Sequence, residues 1–365
     1  MLHKKSIVVV LAVMVALSAT PIISSAEQAQ GGQQAPADGQ RGGRGRGGDG
    51  QAAPGGGQAA PQGDGQGRGQ GAGRGDARGG GRGAAPPMAI KQVKPGVYMV
   101  TNNGGNSTVR VTEQGIILVD TKNLGDMFYN ELLAQIKTAS PQPVKYAIVT
   151  HVHQDHAGNI ERFEKAGVPV IAYEGLNKNL QVGGPNGKGY ESNQGKPAAA
   201  NMPYSKNKKI KVGKAEAIAA HFDSGHTSGD TVVYFPDVKL VSLGDEFTAM
   251  GPNCDYPMGG SILGWSKSLA QVLKWDFDTA IPGHGNDPMT KADVATFQKR
   301  MDAIGKKAIE LVKKGTPKDK LRQQIQMELG PETMGNWMMT GLVNDMRLDM
   351  FYDEISKAAT SGKAD

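Results

Sequence analysis

The composition of the chain changes abruptly at residue 88, and this boundary limits which part of the sequence can fold. Residues 27–87 consist almost wholly of Gly, Gln, Ala, Pro, Arg and Asp, and they contain no Leu, Ile, Val or aromatic residue. Such a segment cannot bury enough apolar surface to offset the entropy lost on ordering. We therefore predict a disordered linker over residues 27–87, so that any globular fold must be built from the residues that follow.

The first residues have the pattern of a secretory signal peptide. Lys4 and Lys5 form a basic start, an apolar run covers residues 7–17, and small residues stand at Ser24 and Ala26. The run is too short to cross a bilayer as a stable helix, and the small residues fit cleavage after Ala26. We predict a signal peptide over residues 1–26 and an exported protein, periplasmic or secreted, with no membrane span after processing. A retained membrane anchor is the alternative.

The chain is basic, with a formal net charge of +6 and a pI near 9.1. Arg-Gly pieces in the linker resemble RGG segments that bind RNA inside cells, but outside the cytoplasm that role has little to act on. Elsewhere the basic residues are scattered, with no aromatic platform beside them. We interpret the linker as a flexible spacer, with polyanion binding as the alternative, and we expect no nucleic-acid interface on the globular part.

Residues 88–290 have the apolar patterning of a globular domain. Alternating or β-branched runs predict strands over 97–101, 107–112, 115–119, 144–149, 168–172, 215–220, 231–235, 239–243 and 279–281. Apolar residues three and four apart predict helices over 126–138, 158–166 and 261–275. The polar, glycine-rich residues 174–208 predict a long surface loop, which we expect to line a substrate cleft.

Residues 291–365 have helical spacing and form a C-terminal extension. A single apolar stripe contains Val294, Phe297, Met301, Ile304, Ala308 and Leu311. Such a stripe usually covers the core of its own domain, and we predict that the extension packs on residues 88–290. A homodimer interface is the alternative use of this stripe.

Three of the seven histidines, His151, His153 and His156, fall within six residues. They follow a predicted strand and precede a predicted helix, which is where α/β sheets place their sites. Imidazoles two residues apart on an extended segment point to the same side and can bind one cation, while Asp155 and His156 can turn towards a second. Nitrogen and carboxylate ligands suit Zn²⁺, although Fe, Mn or Co fit similar sites.

Three further pieces each place a ligand type at the end of a predicted strand. They are Gly225-His226-Thr227, Gly244-Asp245 and Pro282-Gly283-His284-Gly285. Each piece alone is a weak signal, but together with the histidine cluster they are specific. The only cysteine, Cys254, permits no intramolecular disulfide, and we interpret it as a small buried residue rather than a ligand or nucleophile.

With these pieces in this order, residues 90–290 closely resemble the metallo-β-lactamase superfamily, in which HxHxDH is followed by a later His, Asp and His. The resemblance implies an α+β fold, the αββα sandwich known as the metallo-β-lactamase fold, with the metals at one sheet edge and C-terminal helices here. The ligands it implies are His151, His153 and His226 for a first metal, Asp155, His156 and His284 for a second, and Asp245 as the bridge.

The resemblance also suggests residues that support the ligands. Asp120 ends a predicted strand, and Asp230 follows the Gly-His-Thr piece, so both occupy positions that look like the superfamily's supporting carboxylates. A metal-bound imidazole commonly donates its other N–H to such a group. We therefore expect Asp120, Asp230 and Thr227 to lie behind the ligands and to orient them, while His221 matches no motif.

A site of this kind implies hydrolysis of a small-molecule substrate. Two divalent ions, Zn or alternatively Fe or Mn, can share one water and lower its pKa, so that a bridging hydroxide attacks an ester, thioester, lactone or amide bond. Asp155 would orient this nucleophile, and no serine or cysteine nucleophile is required.

Three different functions compete with this hydrolase. In the best-known zinc β-lactamases a cysteine stands where Asp245 is, and a lysine stands at the position of Thr248, so β-lactam cleavage is disfavoured without being excluded. The lactonase tyrosine at the same place is also missing, whereas the bridging aspartate makes the ligand set similar to glyoxalase II. The second competing function is that of a mononuclear iron persulfide dioxygenase, and the third is that of a non-catalytic metal-binding envelope scaffold.

Overall fold

A computed structural model describes residues 86–182 and 196–361 of the chain. The predicted signal peptide and nearly all of the predicted linker therefore lie outside the described residues. The described residues form two β-sheets that pack face to face with helices on both outer sides. The predicted αββα sandwich with C-terminal helices is confirmed.

The first sheet contains seven strands in the order β1 to β7. Their bounds are β1 Ala89–Lys94, β2 Val97–Thr101, β3 Ser107–Thr112, β4 Gly115–Val119, β5 Val144–Ile148, β6 Val170–Tyr173 and β7 Met202–Tyr204. The second sheet contains six strands in the order β13-β12-β11-β10-β9-β8. These are β8 Asn207–Val212, β9 Ala215–Ala220, β10 Val232–Phe235, β11 Leu240–Ser242, β12 Thr279–Ile281 and β13 Met289–Thr290.

Helices cover the outer face of each sheet. The first sheet is covered by α1 Asp126–Ala139, α2 Gln154–Ala157, α3 Ile160–Lys165 and α4 Glu174–Val182. The second sheet is covered by α5 Ile262–Val272 and α6 Lys291–Lys313. These are followed by α7 Lys318–Met334, α8 Met339–Leu342 and α9 Leu348–Ser361. Among the described residues, no helix is both long and apolar enough to cross a membrane.

Three apolar layers hold the sandwich together. The layer between the sheets includes Ile117, Ile148 and Phe235, all fully buried. A second layer packs α1 and α3 on the first sheet, and a third packs α5 and the C-terminal helices on the second. Full burial of one such aliphatic or aromatic side chain contributes about 1.5–3 kcal/mol. The layers therefore make the two sheets a rigid support for the loops at their edges.

The strand directions bring the ends that carry the candidate ligands to the same edge of each sheet. In the first sheet β4 and β5 are parallel, so Asp120 after β4 and His151 after β5 emerge together. In the second sheet β11 and β12 are parallel, so Asp245 and His284 also emerge together. Because β10 is antiparallel to β11, the turn before β10, which carries His226, comes to this same edge.

The C-terminal apolar stripe is buried within the chain. Residues of α6 from Val294 to Leu311 share one apolar cluster with Trp265 and Leu269 of α5. A Thr290–Asp293 capping box fixes the start of α6, since the Thr290 hydroxyl accepts from the Asp293 N–H and the Asp293 carboxylate from the Thr290 N–H. A dimer interface, if there is one, would therefore have to use another surface.

The structure differs from the sequence-based expectation in several elements. The predicted loop over 174–208 begins with helix α4, in which Leu176 and Leu180 are buried one turn apart, and it also contains strand β7; residues 183–195 lie outside the described part. The predicted helix over 158–166 is α3, and the short helix α2 before it was not predicted; Gly158, between the two, packs against the backbone around Asn123 and Leu124. Strands β1, β8 and β13 were also not predicted.

Candidate metal centre

The seven predicted ligands converge at the shared edge of the two sheets. They form two groups in which the ligand atoms lie within 4.8 Å of one another. The first group is His151, His153, His226 and Asp245, and the second is Asp155, His156 and His284. Residues that are up to 133 positions apart in the sequence are thus brought to one place by the strand order.

In the first group, three imidazole nitrogens face one another. His153 Nδ1 lies 3.1 Å from His151 Nε2 and 2.9 Å from His226 Nε2. Asp245 Oδ2 lies 3.6 Å from His226 Nε2 and 4.0 Å from His151 Nε2. Three nitrogens and one carboxylate oxygen therefore surround a common point, which suits a four-coordinate cation.

In the second group, His284 Nε2 lies 3.3 Å from His156 Nε2 and 3.2 Å from Asp155 Oδ2. The other oxygen of Asp245, Oδ1, is 3.3 Å from His156 Nε2 and 3.4 Å from His284 Nε2. Asp245 thus turns one oxygen to each group, which is the geometry that a bridging carboxylate needs.

Four of the five imidazoles are held on the nitrogen that faces away from the centre. The partners are the Thr150 hydroxyl for His151, the Asp255 carboxylate for His153, the Asp120 carboxylate for His156 and the Asn253 carbonyl oxygen for His226. Such outer partners fix the ring orientation and leave the inward nitrogen free to bind a cation.

Asp120 supports both groups. Its Oδ2 accepts from His156 Nδ1 at 2.8 Å and from the Thr150 hydroxyl at 2.9 Å, and that hydroxyl in turn accepts from His151 Nδ1 at 3.0 Å. Its Oδ1 accepts from the Thr150 N–H at 2.7 Å. The carboxylate is 1% exposed, and it ties the end of β4 to the turn after β5.

Asp230 and Thr227 have a different place from the one predicted. The Thr227 hydroxyl donates to Asp230 Oδ1 at 2.6 Å and its N–H to Oδ2 at 2.9 Å, so Asp230 closes the turn after His226 rather than receiving an imidazole N–H. Burial raises the pKa of Asp230 to about 7 and that of Glu246, which lies against it, well above its usual range. The two adjacent side chains link the His226 turn to the turn that carries Asp245.

Two glycines of the site leave room for ligand side chains. A Cβ at Gly283 would lie 2.1 Å from Asp245 Oδ1, and a Cβ at Gly105 would lie 2.0 Å from the His156 ring. Both distances are far below van der Waals contact. The glycine before His284 is therefore required because the bridging carboxylate occupies the space of its side chain.

Burial and neighbouring charge set different protonation states in the two groups. Burial, with the neighbouring His153, lowers the pKa of His226 to about 4, and it holds that of His151 well below its usual value. Burial also acts on His284, but contacts with the Asp155 and Asp245 carboxylates outweigh it and raise the pKa to about 9. At neutral pH His151 and His226 thus offer neutral imidazoles, whereas His284 carries a proton.

The residues present fit a pair of divalent cations. Imidazole nitrogens with carboxylate oxygens are the ligands of borderline metals such as zinc. Asp245 Oδ1 is buried and accepts no hydrogen bond within residues 86–182 and 196–361, although two imidazole nitrogens lie nearby. A cation held by these imidazoles and carboxylates would provide the partner that this buried oxygen lacks.

A cavity of about 370 Å³ opens beside the cluster. It is lined by His226, Asp245 and His284 of the cluster and by Thr248 and residues 250–253 of the following segment. Gly341 and Asn344, from the C-terminal extension, also line it. A cavity of this size fits a small molecule rather than a polymer chain.

Two other residues considered in the sequence lie outside the two groups. His221 stacks on Tyr173 with ring centres 3.8 Å apart, and its Nδ1 donates to the Asp230 carbonyl oxygen. Cys254 is fully buried, as interpreted, and burial raises the pKa of its thiol well above the usual range. Sequence reasoning missed the outer partners Asp255, Asn253 and Thr150, because they follow no spacing rule.

Comparison with known proteins agrees with this geometry. Residues 100–284, slightly more than half of the chain, match the sequence model of the metallo-beta-lactamase superfamily. The chain is 26% identical to metallo-beta-lactamase IND-1 of Chryseobacterium indologenes over 197 residues, which cover 52% of this chain and 75% of the relative. It is also 26% identical to a hydroxyacylglutathione hydrolase of Brucella anthropi over 132 residues, 36% of this chain and 50% of the relative.

Structural similarity to a solved protein covers more of the chain than the match to the sequence model does. The sec-alkylsulfatase Pisa1 of a Pseudomonas species superposes with a TM-score of 0.60 at 19% identity, over 73% of this chain and 50% of that one. At this identity the superposition shows a shared fold. From the sequence match, the two sheets and the convergence of the His and Asp motifs at their edge, we conclude that the chain belongs to the metallo-β-lactamase superfamily.

Proposed function

We propose that this protein is a hydrolase that binds two divalent metal ions and cleaves an ester, thioester, lactone or amide bond in a small molecule. The observation that carries the proposal is the arrangement of two donor groups around the two oxygens of Asp245, beside an open cavity. The names of curated relatives support it, since two are metallo-beta-lactamases and one is a hydroxyacylglutathione hydrolase.

Divalent ions bound here would supply Lewis acidity and lower the pKa of a nearby water. The chain's own part begins with Asp155, whose side chain is one-third exposed and whose pKa is held below its usual range by His156 and His284 against the effect of burial. As an ionised carboxylate at the centre, it can accept a hydrogen bond from the attacking water and hold that water's proton. The outer partners keep the imidazoles in place during this step.

The cavity wall offers neutral groups to the rest of the substrate. Its polar side chains beyond the cluster are Thr248, Asn253 and Asn344, together with the apolar Met250 and Pro252. The Thr248 hydroxyl donates to the Gly251 carbonyl oxygen at 2.6 Å, which shapes the loop next to Asp245. We infer that these groups orient the acyl part of the substrate by hydrogen bonds and van der Waals contact rather than by an ion pair.

β-Lactam hydrolysis is the second candidate, since two of the curated relatives are β-lactamases that align over about three quarters of their length. The neutral Thr248 in the cavity wall argues against it, because a lysine at this place holds the carboxylate of the drug in the best-known zinc enzymes. We further propose zinc as the metal and export as the location, the latter from the signal-like residues 1–26 alone.

The test is metal analysis of the purified protein together with a substrate panel of chromogenic ester, thioester, lactone, phosphodiester and cephalosporin, with a persulfide added to test for dioxygenase activity. We expect about two metal ions per chain and turnover of at least one carbonyl substrate, lost on chelation and in His151→Ala. His221→Ala is the matched control, because this partly buried histidine lies near the centre but in neither group. Metal binding without turnover on any substrate would instead indicate a scaffold.

A further inference from the structure

The C-terminal extension contacts the loop that holds two of the candidate metal ligands. Arg347 stands between α8 and α9, and its Nη1 donates to the Asn253 side-chain oxygen at 2.5 Å and to the Cys254 carbonyl oxygen at 2.6 Å. These acceptors belong to residues 252–255, which we call the anchor loop. One guanidinium from the extension therefore holds two successive residues of this loop.

The anchor loop provides the outer partners of two first-group imidazoles. The Asn253 carbonyl oxygen accepts from His226 Nδ1, and Asp255 Oδ2 accepts from His153 Nε2 at 2.7 Å. The Asp255 N–H donates to the His226 carbonyl oxygen at 2.9 Å, so the loop grips both the ring and the backbone of that ligand. The residues held by Arg347 thus include or adjoin both of these partners.

Arg347 is itself fixed by the extension. Its N–H donates to Asn344 Oδ1 at 3.0 Å, and its side chain is only partly exposed. In the same segment, the Val343 carbonyl oxygen and the Asp345 carboxylate accept from Arg322 of α7 at 3.0 Å and 2.8 Å. The guanidinium is rigid and can donate to two acceptors at once, which suits it to define the position of a loop.

The second group has no comparable link to the extension among the described contacts. His156 is held by Asp120, which follows β4 in the catalytic domain, and not by the anchor loop. A change at Arg347 should therefore reach His153 and His226 but leave His156 and Asp155 in place. This asymmetry separates a positioning effect from a general loss of structure.

We propose that Arg347 is a positioning residue: it fixes the anchor loop, and through Asn253 and Asp255 it orients His226 and His153, so that the C-terminal extension sets the metal affinity of the first group. The proposal rests on the metal-binding part of the proposed function and not on the reaction. Arg347 matches no metal motif and lies beyond the residues that match the family model, and yet it would help to position ligands of the metal centre.

The test compares Arg347→Ala and Arg347→Lys with the control Lys307→Ala, which removes one positive charge from the same extension at a residue that pairs with Glu310 and Glu328. The affinity of each zinc equivalent is measured by competition with a chromogenic chelator, and the melting temperature of the metal-free proteins is recorded. Because Arg347 acts on the imidazoles only through the anchor loop, we expect Arg347→Ala to weaken one equivalent by up to about 10-fold, the lower end of the range for an outer partner, and to leave the second unchanged. Arg347→Lys should recover part of the loss, because an ammonium can reach one of the two oxygens.

Wild-type affinity for both equivalents in Arg347→Ala, or an equal loss in Lys307→Ala, would overturn the proposal while leaving the proposed hydrolase intact. A parallel loss of both equivalents together with a lower melting temperature would also overturn it, since that is the result of a structural role. A wild-type chain that takes up no metal would overturn both proposals together.

Discussion

The two halves of the candidate metal centre, the first and the second ligand group, differ in how rigidly their side chains are held. All three imidazoles of the first group are held on their outer nitrogens, and His151 and His226 are each 1% exposed. In the second group His156 is held in the same way by Asp120, whereas the side chains of Asp155 and His284 are about one-third and one-quarter exposed. The first half is therefore preorganised, whereas the second depends more on the bound ion for its order.

Removing one ligand from each half gives the largest expected contrast. In His284→Ala we expect one ion per chain to survive dialysis against metal-free buffer, because the preorganised half is intact. In His153→Ala we expect the tight ion to be lost, with an affinity decrease larger than the about 100-fold that loss of an outer partner can cost. Elemental analysis of the dialysed proteins measures both, and loss of both ions in His284→Ala would show that the halves are not independent.

Changing the outer carboxylates tests the same contrast with a smaller effect. Asp120 supports His156 directly and His151 through Thr150, whereas Asp255 supports His153 by a side-chain contact. We expect Asp120→Asn to weaken both metal equivalents and Asp255→Asn only the tighter one, each by about 10- to 100-fold. Chelator competition resolves the two affinities. Selective loss of the weaker equivalent in Asp255→Asn would contradict the assignment of His153 to the first half.

The smallest of the expected differences between the halves is in how their metal affinity depends on pH. His284 has a pKa of about 9 and must lose its proton to bind a cation, so the affinity of the second half should rise with pH below that value. The slope is roughly tenfold per pH unit for each proton released. His226, with its pKa lowered to about 4, is already neutral at neutral pH and adds no such slope. Titration calorimetry in buffers of different ionisation enthalpy measures the protons released, and a steeper slope for the tighter ion would reverse this order.

The ligands could be predicted from the sequence because each stands at the end of a strand with recognisable patterning. His151 follows the apolar strand β5, and Asp245 and His284 follow β11 and β12. The apolar pattern of these strands therefore predicts that the ligands stand at strand ends. Most of the residues that hold the ligands could not be predicted. Asp255 reaches His153 across 102 positions, and Arg347 reaches Asn253 across 94, and both contacts depend on how loops pack in three dimensions.

The elements missed in the fold have a similar cause. Strand β1, with the sequence AIKQVK, lies at the edge of the first sheet. Its lysines are typical of an exposed edge strand, so the sequence lacks the apolar pattern of a buried strand. Helix α4 has few apolar residues, so its buried Leu176 and Leu180 are hidden in a polar and glycine-rich stretch. Strongly apolar elements were predicted, and those whose stability depends on a few contacts were not.

The single thiol of the chain lies inside the anchor loop, between the two residues that hold His226 and His153. Since Cys254 is fully buried and its pKa is raised, a thiol-specific reagent can reach it only when this loop opens. The rate of labelling therefore reports how often the loop opens, without any introduced probe. Slower labelling at increasing zinc concentration would show that metal binding to the imidazoles reduces opening of the loop that holds them.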